Sequence, residues 1–307
     1  MSTAPGVPGS PTPATGPATG PAAGSSPTTG GAVAAAAPAP APRRVRVQHL
    51  RDAKEAGRRL TMLTAYDAAT ARIFDASGVD MLLVGDSMGD NMLGHATTIP
   101  VTMDELIPAV RAVSRVARRA LVVADLPFGS YEASPQQAHA AAVRMLKEGG
   151  ANAVKLEGGR RIAAHVELLT GAGIPVVGHL GLTPQAENIL GGKRVQGRGS
   201  DAADALLADA VALAEAGAVA IVLEMIPEQL AQRVTDRLAI PTIGIGAGGA
   251  CDGQVLVWLD MAGMTDWSPR FARQFGDVGA ALAQATGAYI SAVHDGTFPG
   301  PEHTYQS

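Results

Sequence analysis

Cysteine is almost missing from this chain of 307 residues. The single one, Cys251, excludes an intramolecular disulfide framework and any zinc site built on two or more cysteines. Charge is also sparse: only 17% of residues are Asp, Glu, Lys or Arg, so any local gathering of them stands out. There is no run of Lys or Arg, and the net charge is −4, which argues against a nucleic-acid partner. Long apolar runs are lacking too; the longest reach about ten residues, half of what a membrane-spanning helix needs. The seven histidines are dispersed, with none in a His-x-x-x-His metal spacing. What remains is 47% hydrophobic, enough for a sizeable core, and the length suits one α/β barrel of about 250 residues with extensions. The composition reads as a soluble protein of a reducing compartment, the cytoplasm, that acts on small molecules.

Residues 1–42 carry no charged side chain and consist almost wholly of Ala, Pro, Gly, Ser and Thr. Such a segment has little to bury against the entropy of ordering, so it is expected to be a disordered tail. It lacks the basic start and Leu-like stretch of a signal peptide. From Arg43 the character changes. Short apolar runs alternate with helix-period segments at intervals of roughly 25–40 residues, the βα signature of a parallel sheet. Strands are expected at 61–64, 81–84, 121–124, 153–156, 175–178, 220–223, 242–245 and 255–259. Helices are expected at 103–118, 161–169, 201–216 and 227–238, with a further one capped by Ser134, opened by Pro135 and closed at Gly149 and Gly150. Gly173 and Gly217 stop two of these helices. The expected architecture is a (β/α)8 TIM barrel over 43–295, preceded by the tail and followed by a C-terminal tail at 296–307. Residues 246–254 are too few for a full helix between strands seven and eight.

The charges fall at strand ends, where barrels of this kind place their chemistry. Asp86 and Ser87 follow strand two, and Asp125 ends strand three. Lys155 and Glu157 end strand four, His179 strand five and Glu224 strand six. Lys155 and Glu157 are two apart and so face the same side of a strand. Each has a plainer explanation when taken singly. Asp86 or Asp125 could cap the following helix, Lys155 and Glu157 could form a rim ion pair, and His179 could be a core histidine bonded to a carbonyl. Coincidence of all of these on one face favours a functional site. Several acids in one pocket need a neutralising cation, and an all-oxygen set favours Mg²⁺ over zinc. A keto acid chelated there would have an acidified neighbouring C–H, leaving one acid free for proton transfer.

Other motifs are set aside. Gly244 to Gly249 matches the spacing of a dinucleotide fingerprint, but no helix signal follows it. Gly192-Lys193-Arg194 lacks the remaining parts of a P-loop, and Cys251 has no base beside it. The glycine-rich basic stretch 191–200 is either a mobile cover or a plain surface loop.

Six motifs carry a family resemblance: Val84-Gly85-Asp86-Ser87-Met88-Gly89, His95 to Thr102 (HATTIPVT), Ala124 to Tyr131 (ADLPFGSY), Ala153 to Gly158 (AVKLEG), Gly178 to Gln185 (GHLGLTPQ) and Gly244 to Gly248 (GIGAG). In order, and over about 45–293, they resemble the ketopantoate hydroxymethyltransferase family. The resemblance implies a (β/α)8 barrel that transfers a hydroxymethyl group from 5,10-methylenetetrahydrofolate to 3-methyl-2-oxobutanoate with Mg²⁺, giving 2-dehydropantoate in pantothenate biosynthesis. It also implies a homo-oligomer, commonly a decamer. Carried over by motif, Asp86, Asp125 and Glu157 would coordinate Mg²⁺. Asp86, Ser87, Asp125 and Lys155 would contact the keto acid, Glu224 would accept the proton, and His179 would stand in the substrate shell. The rivals are a Mg²⁺-dependent C–C lyase of the isocitrate lyase or phosphoenolpyruvate mutase type, whose Lys-Lys-Cys-Gly-His motif has no counterpart here, and a barrel that binds without turnover.

Overall fold

A computed structural model describes residues 43–265 and 267–306. The tail expected to be disordered, 1–42, lies outside the described residues. The described residues form a closed barrel of eight parallel strands in sequential order, with the last pairing the first. The strands are β1 (Leu60–Thr64), β2 (Met81–Val84), β3 (Leu121–Asp125), β4 (Ala153–Glu157), β5 (Val176–Gly181), β6 (Ala220–Glu224), β7 (Thr242–Ile245) and β8 (Gly253–Leu256). Helix α1 (Val47–Glu55) precedes the barrel. Around it follow α2 (Ala68–Ala76), α3 (Met88–Asn91), α4 (Met103–Val116), α5 (Pro135–Arg144), α6 (Ala163–Gly171), α7 (Glu187–Leu190), α8 (Ser200–Glu215) and α9 (Glu228–Arg237). The chain ends with α10 (Trp258–Ala262) and α11 (Val278–His294).

Alternation along each strand divides the core in two. Leu60, Met62, Met81, Leu83, Leu121, Val123, Ala153, Val177, Ala220, Val222, Ile243 and Val255 point into the barrel and pack together. Leu50 and Ala53 of α1, with Val45, join that inner cluster and so close off one end of the barrel. The intervening residues, among them Leu82, Val122, Val154, Leu156, Ile221 and Leu223, face outward and bury the apolar stripes of the surrounding helices. The same alternation carries functional groups inward. Asp125 continues the row of Leu121 and Val123; Lys155 and Glu157 that of Ala153; His179 that of Val177; Glu224 that of Ala220 and Val222.

Local chemistry sets the helix ends. Ser134 Oγ accepts from Gln137 N at 3.1 Å and Pro135 occupies the first turn, as the capping pattern implies. The last turn of that segment, Met145–Gly149, widens into a π-turn before Gly150 closes it in the left-handed conformation. Thr102 and Glu105 form a reciprocal capping box on α4. Gly173 and Gly217 adopt positive φ where they stop their helices.

Two strands differ most from expectation, the other strand ends lying within one residue of it. Strand β5 runs on to Gly181 rather than ending at 178. Strand β8 covers Gly253–Leu256 rather than 255–259. The uninterrupted apolar run from Val255 to Leu259 hides the point where pairing ends. Leu256 is the last residue in register with β1, and the Trp258 backbone N–H turns to Thr64 Oγ1 at 3.0 Å to open α10. Among the described residues no helix separates β7 from β8, and none is long and apolar enough to cross a membrane.

Candidate active site

The strand C-termini open into a cavity of about 700 Å³ lined by all seven residues singled out above: Asp86, Ser87, Asp125, Lys155, Glu157, His179 and Glu224. Leu83, Val222, Ile245 and Val255 form its apolar floor and walls. Neither Asp86 nor Asp125 caps a helix. Both turn into the cluster instead, and the Asp86 backbone N–H donates to Asp125 Oδ2 at 3.2 Å.

Lys155 Nζ lies 2.7 Å from Asp125 Oδ1 and 3.9 Å from Glu157 Oε1. The contact with Asp125 is close but poorly aligned, so that buried Oδ1 keeps no hydrogen-bond partner. His179 bridges two acids. Its Nδ1 is 3.1 Å from Glu157 Oε1 and its Nε2 is 3.2 Å from Glu224 Oε2, the latter a charge contact without hydrogen-bond alignment. Ser87 Oγ and Tyr66 OH meet at 2.9 Å on the adjacent wall.

The electrostatics follow from burial. Loss of water, added to by the charges of Asp125 and Glu157, pushes the Asp86 carboxyl well above the usual carboxylate range. Burial also raises Asp125, despite the opposing charge of Lys155. Burial opposes ionisation of Glu157 as well, but the charges of His179 and Lys155 and the Gln185 backbone N–H outweigh it, and its pKa is lowered. Burial and Lys155 push His179 down, yet its contacts with Glu157 and Glu224 carry it up to about 9. Lys155 is raised by Asp125, Glu157 and Asp86 against its own desolvation. Ionised, Asp86 would add negative charge to a site where burial and two neighbouring acids already oppose it. Among the described residues no three His, Cys, Asp or Glu side chains converge closely enough to enclose an ion unaided.

Two residues in the cluster escape a reading by strand ends. Gln185, in the turn after β5, donates from Nε2 to Asp86 Oδ2 at 2.8 Å. Tyr131, in the loop after β3, donates to Gln185 Oε1 at 2.7 Å. Both stand inside the quoted motifs, which was the one signal available. The Gly244–Gly249 turn opens no helix, and Cys251 is buried.

A closed (β/α)8 barrel with buried acids, a lysine and a histidine at its strand C-termini defines the class: a barrel with the layout of an enzyme. The sequence pattern of the family described as ketopantoate hydroxymethyltransferase matches residues 44–301, and the chain belongs to that family. It is 60% identical over 265 residues to a protein of Saccharopolyspora erythraea named 3-methyl-2-oxobutanoate hydroxymethyltransferase, covering 86% of this chain and 90% of that one. Among solved structures it is similar to a phosphonopyruvate hydrolase in complex with oxalate and Mg²⁺, with a TM-score of 0.54 and 14% identity over 84% of this chain and 92% of that one. It is also similar to 2,3-dimethylmalate lyase, a member of the phosphoenolpyruvate mutase/isocitrate lyase superfamily, with a TM-score of 0.52 and 18% identity over 83% and 92%. At such identities the structural likeness carries the fold alone.

Proposed function

We propose that this chain transfers a hydroxymethyl group from 5,10-methylenetetrahydrofolate to 3-methyl-2-oxobutanoate, giving 2-dehydropantoate in pantothenate biosynthesis. The observation that carries this reading is the convergence of Asp86, Asp125, Lys155, Glu157, His179 and Glu224 in one cavity of a chain 60% identical to a protein named for that activity. Residues 43–295 would be the catalytic unit of a cytoplasmic enzyme.

The donor set fits Mg²⁺. It is all oxygen, and four carboxyl groups (Asp86, Asp125, Glu157 and Glu224) face only Lys155 and His179 as cations. Asp86, Asp125 and Glu157 would hold the ion, directly or through water. When bound, Mg²⁺ would neutralise these carboxylates and acidify the C–H beside the keto acid's carbonyl.

The protein's own groups then divide the work. Lys155 offers its positive charge to the anionic keto acid, and Ser87, Asp86 and Asp125 fix its position. Glu224 takes the C3 proton. Its side chain is 16% exposed, against 2% for Glu157, so of the two acids beside His179 it is the more open to the cavity. His179, between Glu157 and Glu224, orients that base. One water breaks the carbon–nitrogen bonds of the folate's methylene bridge, freeing tetrahydrofolate and a one-carbon unit at the level of formaldehyde. The deprotonated C3 attacks that carbon, whose oxygen takes the proton and becomes the product's hydroxyl, while the apolar walls limit the access of further water.

Helix α11 supports a homo-oligomer. None of its 17 residues is buried, none is Asp, Glu, Lys or Arg, and it exposes Leu282, Tyr289, Ile290 and Val293. A second copy is the cover we assign to it.

Proton NMR of 3-methyl-2-oxobutanoate in D₂O tests the chemistry. Mg²⁺-dependent loss of the C3–H signal, then a hydroxymethyl product on adding methylenetetrahydrofolate, is expected. Absence of both would overturn the reading.

A further inference from the structure

One uncharged residue ties together the strand ends that carry Asp86, Asp125 and Glu157. Gln185 is only 5% exposed. Its Nε2 donates to Asp86 Oδ2 at 2.8 Å and to the carbonyl of Leu126, the residue after Asp125, at 3.0 Å. Its backbone N–H donates to Glu157 Oε2 at 3.1 Å. Turned over, the same amide would set Oε1 against the Asp86 carboxylate, two acceptors face to face.

The Leu126 carbonyl and Tyr131 together oppose that flip. The Glu157 backbone N–H donates to the Tyr131 oxygen at 3.2 Å, so the phenolic proton must point elsewhere. Gln185 Oε1, at 2.7 Å, is nearer than the Glu157 carbonyl at 3.1 Å. The Leu126 carbonyl can only accept, so the amide nitrogen must face it and Asp86, which leaves Oε1 to accept from Tyr131: Glu157 N–H to Tyr131, Tyr131 O–H to Gln185, Gln185 N–H to Asp86. With Oδ2 engaged, the other oxygen of Asp86 is left for whatever occupies the cavity.

We propose that Gln185 is the positioning residue of the Asp86 carboxylate, and that Tyr131 holds the Gln185 amide in the one orientation that donates to it. The assignment rests on the reading of Asp86 as a ligand of Mg²⁺ and the keto acid. Groups that orient a metal ligand typically change affinity by about ten- to a hundredfold when removed.

Two variants of the full chain test it. Gln185→Met keeps length and bulk but loses both donors, and Tyr131→Phe removes a single hydroxyl. The first readout is the Mn²⁺ dissociation constant, from the free-ion electron paramagnetic resonance signal with 3-methyl-2-oxobutanoate present. The second is calorimetric binding of the keto acid without metal. Gln185→Met is expected to weaken Mn²⁺ binding by about ten- to a hundredfold, with Tyr131→Phe shifting it the same way by less. A residue that only fills space would move the melting temperature and leave the affinity of the folded sites unchanged. Mn²⁺ affinity in both variants equal to the wild type's overturns the assignment. Should Gln185→Met not fold, Tyr131→Phe decides alone. If the wild type binds no Mn²⁺, the metal reading fails by itself. The keto-acid constants then judge Gln185: the same ordering upholds it, and equality, or no binding at all, sinks it.

Discussion

His179 and Glu224 meet at 3.2 Å, Nε2 to Oε2, across the gap between β5 and β6. On its other side the imidazole meets Glu157 at 3.1 Å, which turns its Nε2 toward Glu224. Replacing Glu224 by Gln keeps the shape and removes the proposed base. Keto-acid binding is expected to survive while C3–H exchange in D₂O falls by about 10²- to 10⁴-fold. Exchange at the wild-type rate would take Glu224 out of the role.

Asp86→Asn changes one charge in the crowded cluster. Calorimetric titration is expected to show Mg²⁺ affinity reduced by about tenfold or more, since even the supporting groups of a metal site matter at that level. Unchanged affinity would remove Asp86 from the ligand set.

Gly181 links the strand that carries His179 to the one that carries Glu224. It has φ +95°, and a Cβ there would run into the Glu224 carbonyl, which already accepts from Leu182 N at 2.8 Å. Gly181→Ala therefore has to displace the end of β6. Steady-state assays are expected to show kcat lowered by about 10²-fold, the scale of an ångström-sized misplacement. A variant as active as the wild type would mean that the position of Glu224 tolerates the shift.

Asp80 is an acid with a purely structural task. Burial opposes its charge, but Thr61 N–H and Oγ1, Arg119 and Arg58 hold its carboxyl below the usual range. A lowered folded-state pKa contributes stability above the unfolded value of about 3.9, and that contribution is lost as pH falls through the folded one. Asp80→Asn is expected to cost on the order of 1–3 kcal/mol at neutral pH. Melting curves of variant and wild type should converge as the pH drops below about 4. A gap that stays constant down to pH 3 would contradict this account.

The barrel and the acids were legible because both depend on periodicity. Ala153, Lys155 and Glu157 alternate, so one inward residue announces the next. The glycines at 173 and 217 marked helix ends because only that residue takes the left-handed turn cheaply. Trp258 was misread because an apolar run gives no sign of where a ladder stops. Gln185 and Tyr131 left no periodic trace at all. Their partners lie 99 and 54 residues away, and an amide in a turn becomes meaningful only when the turn folds over the cluster. Helix α1 was missed as a closure because the inner cluster that its Leu50 and Ala53 join draws on all eight strands, most of them distant in sequence.

The missing helix between β7 and β8 has a mechanical consequence. Those strands share two register pairs, Ile243 with Gly253 and Gly244 with Gln254, whereas β5 and β6 share five. A ring under thermal agitation parts at its weakest joint. Ile245 and Val255, which flank this joint, also line the cavity. By that count the β7–β8 seam is the stretch of cavity wall with least to lose by parting, whereas β4 and β5, which bear Lys155, Glu157 and His179, are tied by four pairs.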